Sequence, residues 1–160
     1  MREEIKNAGN ILNDLISSLE ELVETALKKK EIILTDAADS QKLVNIITKE
    51  RNLTRDFKKV ELSLAATFKE IGTIFDVEGM NLSGLINRLV DFPEEKNIFI
   101  EKKEKIDSLL DSFVELNNIN TSLLNTNANY YRYLFKKLNK SNTYRRENKK
   151  QKINLVSTTA

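Results

Sequence analysis

The chain has 160 residues, with 26 Lys and Arg against 24 Asp and Glu, one Pro, four Gly, and no Cys, His or Trp. One domain is the ordinary expectation at that length. The missing side chains exclude a disulfide framework, a thiol nucleophile, a Ser-His-Asp triad, a histidine general base and any zinc site with nitrogen or sulfur ligands.

Five Gly and Pro are too few for the turns of a β-rich fold, so the composition suits a few long helices. From Ile5 to Leu34 the apolar positions Ile5, Leu12, Leu15, Ile16, Leu19, Leu22, Val23, Ala26, Leu27, Ile33 and Leu34 share one face at about 100° per residue, which predicts a first amphipathic helix over 3–35. Asp36-Ala37-Ala38-Asp39-Ser40 breaks the pattern, and Asp39 or Ser40 is an N-cap for the next helix. That helix, over 40–71, carries Leu43, Ile46, Ile47, Leu53, Phe57, Val60, Leu64, Phe68 and Ile71, with Gly72 as the expected C-cap. Glu50, Thr54 and Glu61 interrupt its stripe, so the seam is not expected to be dry throughout.

An irregular connection over 72–81 leads to a short helix over 82–91, capped by Asn81 or Ser83. Pro93 then opens a long helix over 93–138, and Glu94 and Glu95 suit the positive end of its dipole. Ile98, Phe99, Ile106, Leu109, Leu110, Phe113, Leu116, Leu123, Leu124, Tyr130, Tyr131, Leu134, Phe135 and Leu138 share its apolar arc. At ~1.5 Å per residue such a helix spans roughly 65 Å and must pack lengthwise. The fold class is therefore all-α: an elongated antiparallel bundle or coiled coil of three long helices, with a short helix between the second and third.

Charge is unevenly placed. Lys136–Lys152 hold eight basic residues against the single acid Glu147, a net of +7 that leaves −5 for the rest of a chain whose total is +2. Residues 1–138 are read as the helical bundle and 139–160 as a basic tail, disordered when alone. Acids near the N-terminus and the absence of any run of about eighteen apolar residues point to a cytoplasmic protein without membrane insertion.

Six Asn fall within the last helix between Asn117 and Asn129, although Asn is a mediocre helix former. Asn120 and Asn127 project into the apolar arc, either to set register in a seam or to keep a recognition helix marginally ordered. Tyr130-Tyr131-Arg132-Tyr133-Leu134-Phe135-Lys136-Lys137 mixes aromatics with bases, but four of its apolar residues lie on the stripe and only Tyr133 points away, so a protein-facing surface is favoured over nucleic acid. Gly79-Met80-Asn81-Leu82-Ser83-Gly84 has P-loop glycine spacing but lacks the following Lys-Ser/Thr, and Asp76 with Glu78 falls short of a calcium loop. No pair of carboxylates sits in an apolar surround, so neither enzyme, cofactor nor metal site is expected.

Leu116-Asn117-Asn118-Ile119-Asn120-Thr121-Ser122-Leu123-Leu124 resembles the final-helix motif of the FlgN family of flagellar export chaperones. Leu43-Val44-Asn45-Ile46-Ile47-Thr48-Lys49-Glu50-Arg51 looks like a second-helix segment of that family, and Glu24-Thr25-Ala26-Leu27 like part of its first helix. The resemblance covers about residues 10–145. It implies a cytoplasmic chaperone of type III export that binds the C-terminal helical segments of the hook-associated proteins FlgK and FlgL, prevents premature assembly and delivers them to the export gate. The client-binding residues it suggests are Asn120, Leu123, Leu124, Asn127, Tyr130, Tyr131, Leu134 and Phe135. A tyrosine after the last helix docks the family to the cytosolic domain of the gate protein FlhA, and Tyr144 stands in that place, although Arg145-Arg146-Glu147 departs from the small residues that follow it in many members. Two other readings compete: a coiled-coil scaffold without a client, and a polyanion-binding module. The stripe could also close across a homodimer axis.

Overall fold

Four helices follow one another in a computed structural model: α1 (Arg2–Thr35), α2 (Ser40–Phe75), α3 (Leu82–Arg88) and α4 (Pro93–Ser157). The structure describes the backbone of residues 2–35 and 39–157 and the side chains of residues 2–35 and 39–137. The architecture is the expected one, three long helices with a short one between the second and third. By contacts the chain divides into two units, Met1–Asn120 and Thr121–Ala160.

Within the first unit the direction of each helix follows from its side-chain partners. The Asn7 amide donates to the Thr67 hydroxyl at 3.5 Å and the Lys29 ammonium meets Glu50, so α2 runs antiparallel to α1. Lys102 donates to the Gly9 carbonyl and Asn120 to the Ala26 carbonyl, so α4 runs parallel to α1. This up-down-up order is what short connections impose on sequential helices.

The apolar core is concentrated where α3 enters. Leu85 and Ile86 of α3, with Met80 before it and Leu89 just after it, pack into one cluster with Ile5, Ala8, Leu12, Leu15, Ile16 and Leu19 of α1. Leu64, Phe68 and Ile71 of α2 and Phe99 and Ile106 of α4 complete that cluster. Each fully buried leucine there contributes about 1.5–3 kcal/mol of transfer free energy. Towards the other end of α1, Leu22, Ala26 and Ile33 are buried outside this cluster, and the α2 and α4 positions Leu43, Ile47, Phe113 and Leu116 are only half-buried.

Several boundaries and faces differ from the periodicity. Gly72 does not end α2, which continues to Phe75 and closes on Asp76 in the left-handed region (φ 51°, ψ 49°). The return is tight, since the Val77 N–H donates to the Gly72 carbonyl at 2.8 Å. A Cβ on Gly72 would stand 2.6 Å from the Val77 carbonyl oxygen and 3.2 Å from Met80 Cβ. Glycine is required at 72 by close approach rather than by its dihedrals. Helix α3 stops at Arg88, with Leu89 as its C-cap, short of the expected 91, and Val90 beyond it is exposed.

The N-caps fall as read. Asp39 accepts from the Lys42 N–H at 3.1 Å, and Asn81 accepts from the Gly84 N–H at 2.8 Å. Leu27 and Leu34 of α1 and Ile98 and Leu110 of α4 lie on the flanks of their arcs and are exposed, whereas Ala8, Thr25 and Lys29 are buried. Helix α4 runs past 138 to Ser157, because no Gly or Pro follows Leu138 and Lys, Arg, Glu and Gln sustain a helix.

Candidate functional site

The segment singled out in sequence begins at Asn120 and extends along α4. Asn120 is 1% exposed in the first unit, and its side-chain Nδ2 donates to the Ala26 carbonyl at 2.9 Å. Its Oδ1 is buried with no hydrogen-bond partner among the described residues. An amide in that position favours one axial register of α4 on α1, since sliding either helix by a turn would also strand Nδ2.

Beside it lies a second polar group that the periodicity only half revealed. The Lys29 ammonium donates to both Glu50 carboxylate oxygens, at 2.7 and 2.5 Å, and to the Asn117 side-chain oxygen at 3.2 Å. The Lys29 and Glu50 side chains are 10% and 15% exposed. The break at Glu50 in the α2 stripe was the visible sign. Its partner Lys29 is no part of the apolar stripe of α1, although it falls three positions from Ala26 on the inward arc. The Thr54 hydroxyl turns back to the Glu50 carbonyl at 2.8 Å, while Glu61 is exposed and interrupts nothing. Lys29, Glu50, Asn117 and Asn120 thus link α1, α2 and α4 by polar contacts at the end of the first unit remote from α3.

In the second unit Leu123, Leu124, Asn127 and Leu134 are half-buried. Tyr130, Tyr131 and Phe135 are exposed, at 59%, 47% and 67%. The Tyr130 and Tyr131 rings meet edge to face with centroids 6.0 Å apart. Tyr133, which periodicity sets apart from the stripe, is exposed too, with the Lys137 ammonium 5.0 Å from its ring centroid. Four large aromatic rings are therefore presented to solvent within six residues, a density of uncovered apolar area that ordinary surfaces rarely carry. Tyr144 lies outside the residues whose side chains are described.

Among the described residues no group of three or more acidic side chains could hold a metal ion, and no helix is long and apolar enough to cross a membrane. Rings with a polar edge (three tyrosines and a phenylalanine, flanked by Arg132, Lys136 and Lys137) suit a helical peptide with an apolar face and acidic margins.

A family model described as FlgN protein matches residues 1–152. Comparison with curated proteins and with solved structures gives no match.

Proposed function

The chain belongs to the FlgN family of flagellar export chaperones, and from that premise we propose that it is a cytoplasmic chaperone whose clients are the hook-associated proteins FlgK and FlgL. The observation that supports this reading is the exposure of Tyr130, Tyr131 and Phe135 on α4. In a chain whose role is to hold other proteins, a cluster of uncovered rings is the surface with most free energy to gain from a partner. A client's C-terminal helix would lay its apolar face along Leu123, Leu124, Asn127, Tyr130, Tyr131, Leu134 and Phe135, at anchor spacings close to i, i+3/4 and i+7. Buried Asn120, which precedes these residues in the chain, would hold α4 in register on α1.

Covering the client's apolar face prevents it from finding its assembly partners too early. The same contact leaves the chain beyond Phe135 available for the gate, where Tyr144 is the residue proposed to dock on the cytosolic domain of FlhA. The basic residues around Tyr144 would add an electrostatic contribution that speeds encounter and weakens with salt.

The experiment is capture of C-terminal segments of FlgK and FlgL by the full chain and by a chain ending at Asn120. The shortened chain should retain helical circular dichroism and lose the clients. Full-affinity capture by the shortened chain would place the client surface elsewhere.

A further inference from the structure

A cleft lies in the first unit, between the start of α1 and the start of α4, with a volume of about 500 Å³. Its floor and walls are apolar: Leu89, Phe92 and Phe99, with Ile98 half-exposed at the edge. Three cations line it, Arg2, Lys6 and Lys102, against one acid, Glu95. That excess stands out in a chain that is net acidic before Lys136.

Lys102 is the central observation. Its ammonium is partly withdrawn from water and donates to the Gly9 carbonyl at 3.0 Å and to the Asn13 side-chain oxygen. Both acceptors are neutral, and among the described residues no ion pair to Lys102 is formed. Burial pushes its pKa down from the usual lysine value, with no carboxylate acting against that shift. A cation partly withdrawn from water, held by neutral acceptors alone, is the place in a cleft where an incoming carboxylate gains most. The Arg2 guanidinium lies 5.9 Å from the Phe92 ring centroid, so a second cation is already held against the apolar wall.

We propose that this cleft docks an acidic peptide segment of a protein partner, with one apolar side chain seated against Phe92 and Phe99 and a flanking carboxylate on Lys102. The proposal stands apart from the client reading: Gly9, on the cleft, lies ~25 Å along α1 from Ala26, where Asn120 is bound, at 1.5 Å per residue. The occupant is a peptide rather than a fatty acid because of the remaining lining. Asn10 offers an exposed amide that matches backbone N–H and C=O groups, and Arg2 and Lys6 provide two more positions for carboxylates. An alkyl carboxylate would use Lys102 and leave the rest without a role.

The test is fluorescence polarisation of the full chain with a labelled peptide Glu-Leu-Phe-Asp-Ile-Glu and its neutral counterpart Gln-Leu-Phe-Asn-Ile-Gln. The acidic peptide should bind at least about tenfold more tightly than the neutral one, the scale of one charge-assisted contact. Lys102→Gln should lose about tenfold, and Lys102→Arg should keep most of the affinity. The double variant Lys6→Gln/Ile98→Ser changes only exposed residues and should weaken binding without changing the melting temperature, which keeps the test decisive if Lys102→Gln folds poorly. Tyr130→Ala/Tyr131→Ala/Phe135→Ala should leave this peptide unaffected, even if the client reading fails. Equal binding of the two peptides would overturn the proposal. So would full affinity in both the Lys102→Gln and the double variant, or Lys102-dependent binding of decanoate where the peptide does not bind.

Discussion

The side-chain amide of Asn120 reaches across from α4 to the Ala26 carbonyl of α1 at 2.9 Å, inside a seam where Asn120 is 1% exposed. The contact satisfies Nδ2 but leaves Oδ1 without a partner among the described residues. Its net worth is therefore small, while its directional demand is large. A buried amide that fits one register and costs stability is a specificity device, as in helical seams generally.

Asn120→Leu should accordingly keep or raise stability, by up to about 1 kcal/mol, because the Ala26 carbonyl retains its helical bond and an unpartnered oxygen is removed. Asn120→Asp should lower it by roughly 2–3 kcal/mol at neutral pH, since a carboxylate would be desolvated there while the neighbouring Lys29 ammonium is already engaged by Glu50 and Asn117. Urea denaturation of the two variants measures both signs. Destabilisation by Leu as large as by Asp would show that the amide contributes more than register.

The Lys29–Glu50 pair predicts a different pattern. Removing either charge alone leaves the other side chain about nine-tenths buried and uncompensated, so Lys29→Met or Glu50→Leu should each cost roughly 2–4 kcal/mol. The double replacement should recover most of that loss. A double-mutant cycle by chemical denaturation reads the coupling, and additive losses would refute it.

Gly72 allows a prediction from sterics alone. A methyl group there meets the Val77 carbonyl oxygen at 2.6 Å, and backbone cannot yield as a side-chain tip can. Gly72→Ala should lower stability by about 1–3 kcal/mol despite alanine's better helix propensity. Thermal unfolding checks it, and a rise in melting temperature would mean that the α2–α3 connection relaxes freely.

The aromatic face predicts loss of binding without loss of fold. Tyr130→Ala, Tyr131→Ala and Phe135→Ala combined should weaken capture of a FlgK C-terminal segment by at least about tenfold, since exposed anchor rings carry a disproportionate share of interface energy. Their exposure also means that the melting temperature should stay nearly constant. Isothermal titration and circular dichroism on one preparation separate the two effects.

How far the sequence was legible depends on the kind of residue. Apolar positions on α2 were read without error of face, because every residue from Leu43 to Ile71 assigned to its stripe is buried or half-buried. The caps Asp39 and Asn81 were legible because an N-cap is a local hydrogen bond between a side chain and a backbone three residues on. Leu27, Leu34 and Ile98 were misplaced because a flank residue on an apolar arc is buried only if the neighbouring helix is broad enough to cover it. Gly72 was misread for a similar reason. A glycine near a helix end marks either a left-handed turn or a close approach, and only the path of Val77 and Met80 distinguishes them. Of the candidate site, Asn120 was correctly turned inward, while Lys29 was invisible as the partner of Glu50 because those residues come from different helices.

By itself the sequence determined the helical class, the order of the elements and the lack of histidine and cysteine chemistry, since periodicity, caps and composition are properties of local chain. It also carried the family motifs, which lie within single helices. Tertiary structure decided which apolar residues are covered, which charges are paired and where Lys102 is withdrawn from water. Those outcomes depend on distances between residues up to ninety-four positions apart, as from Ala26 to Asn120. No local pattern encodes such a distance, because it is set by the packing of one helix against another.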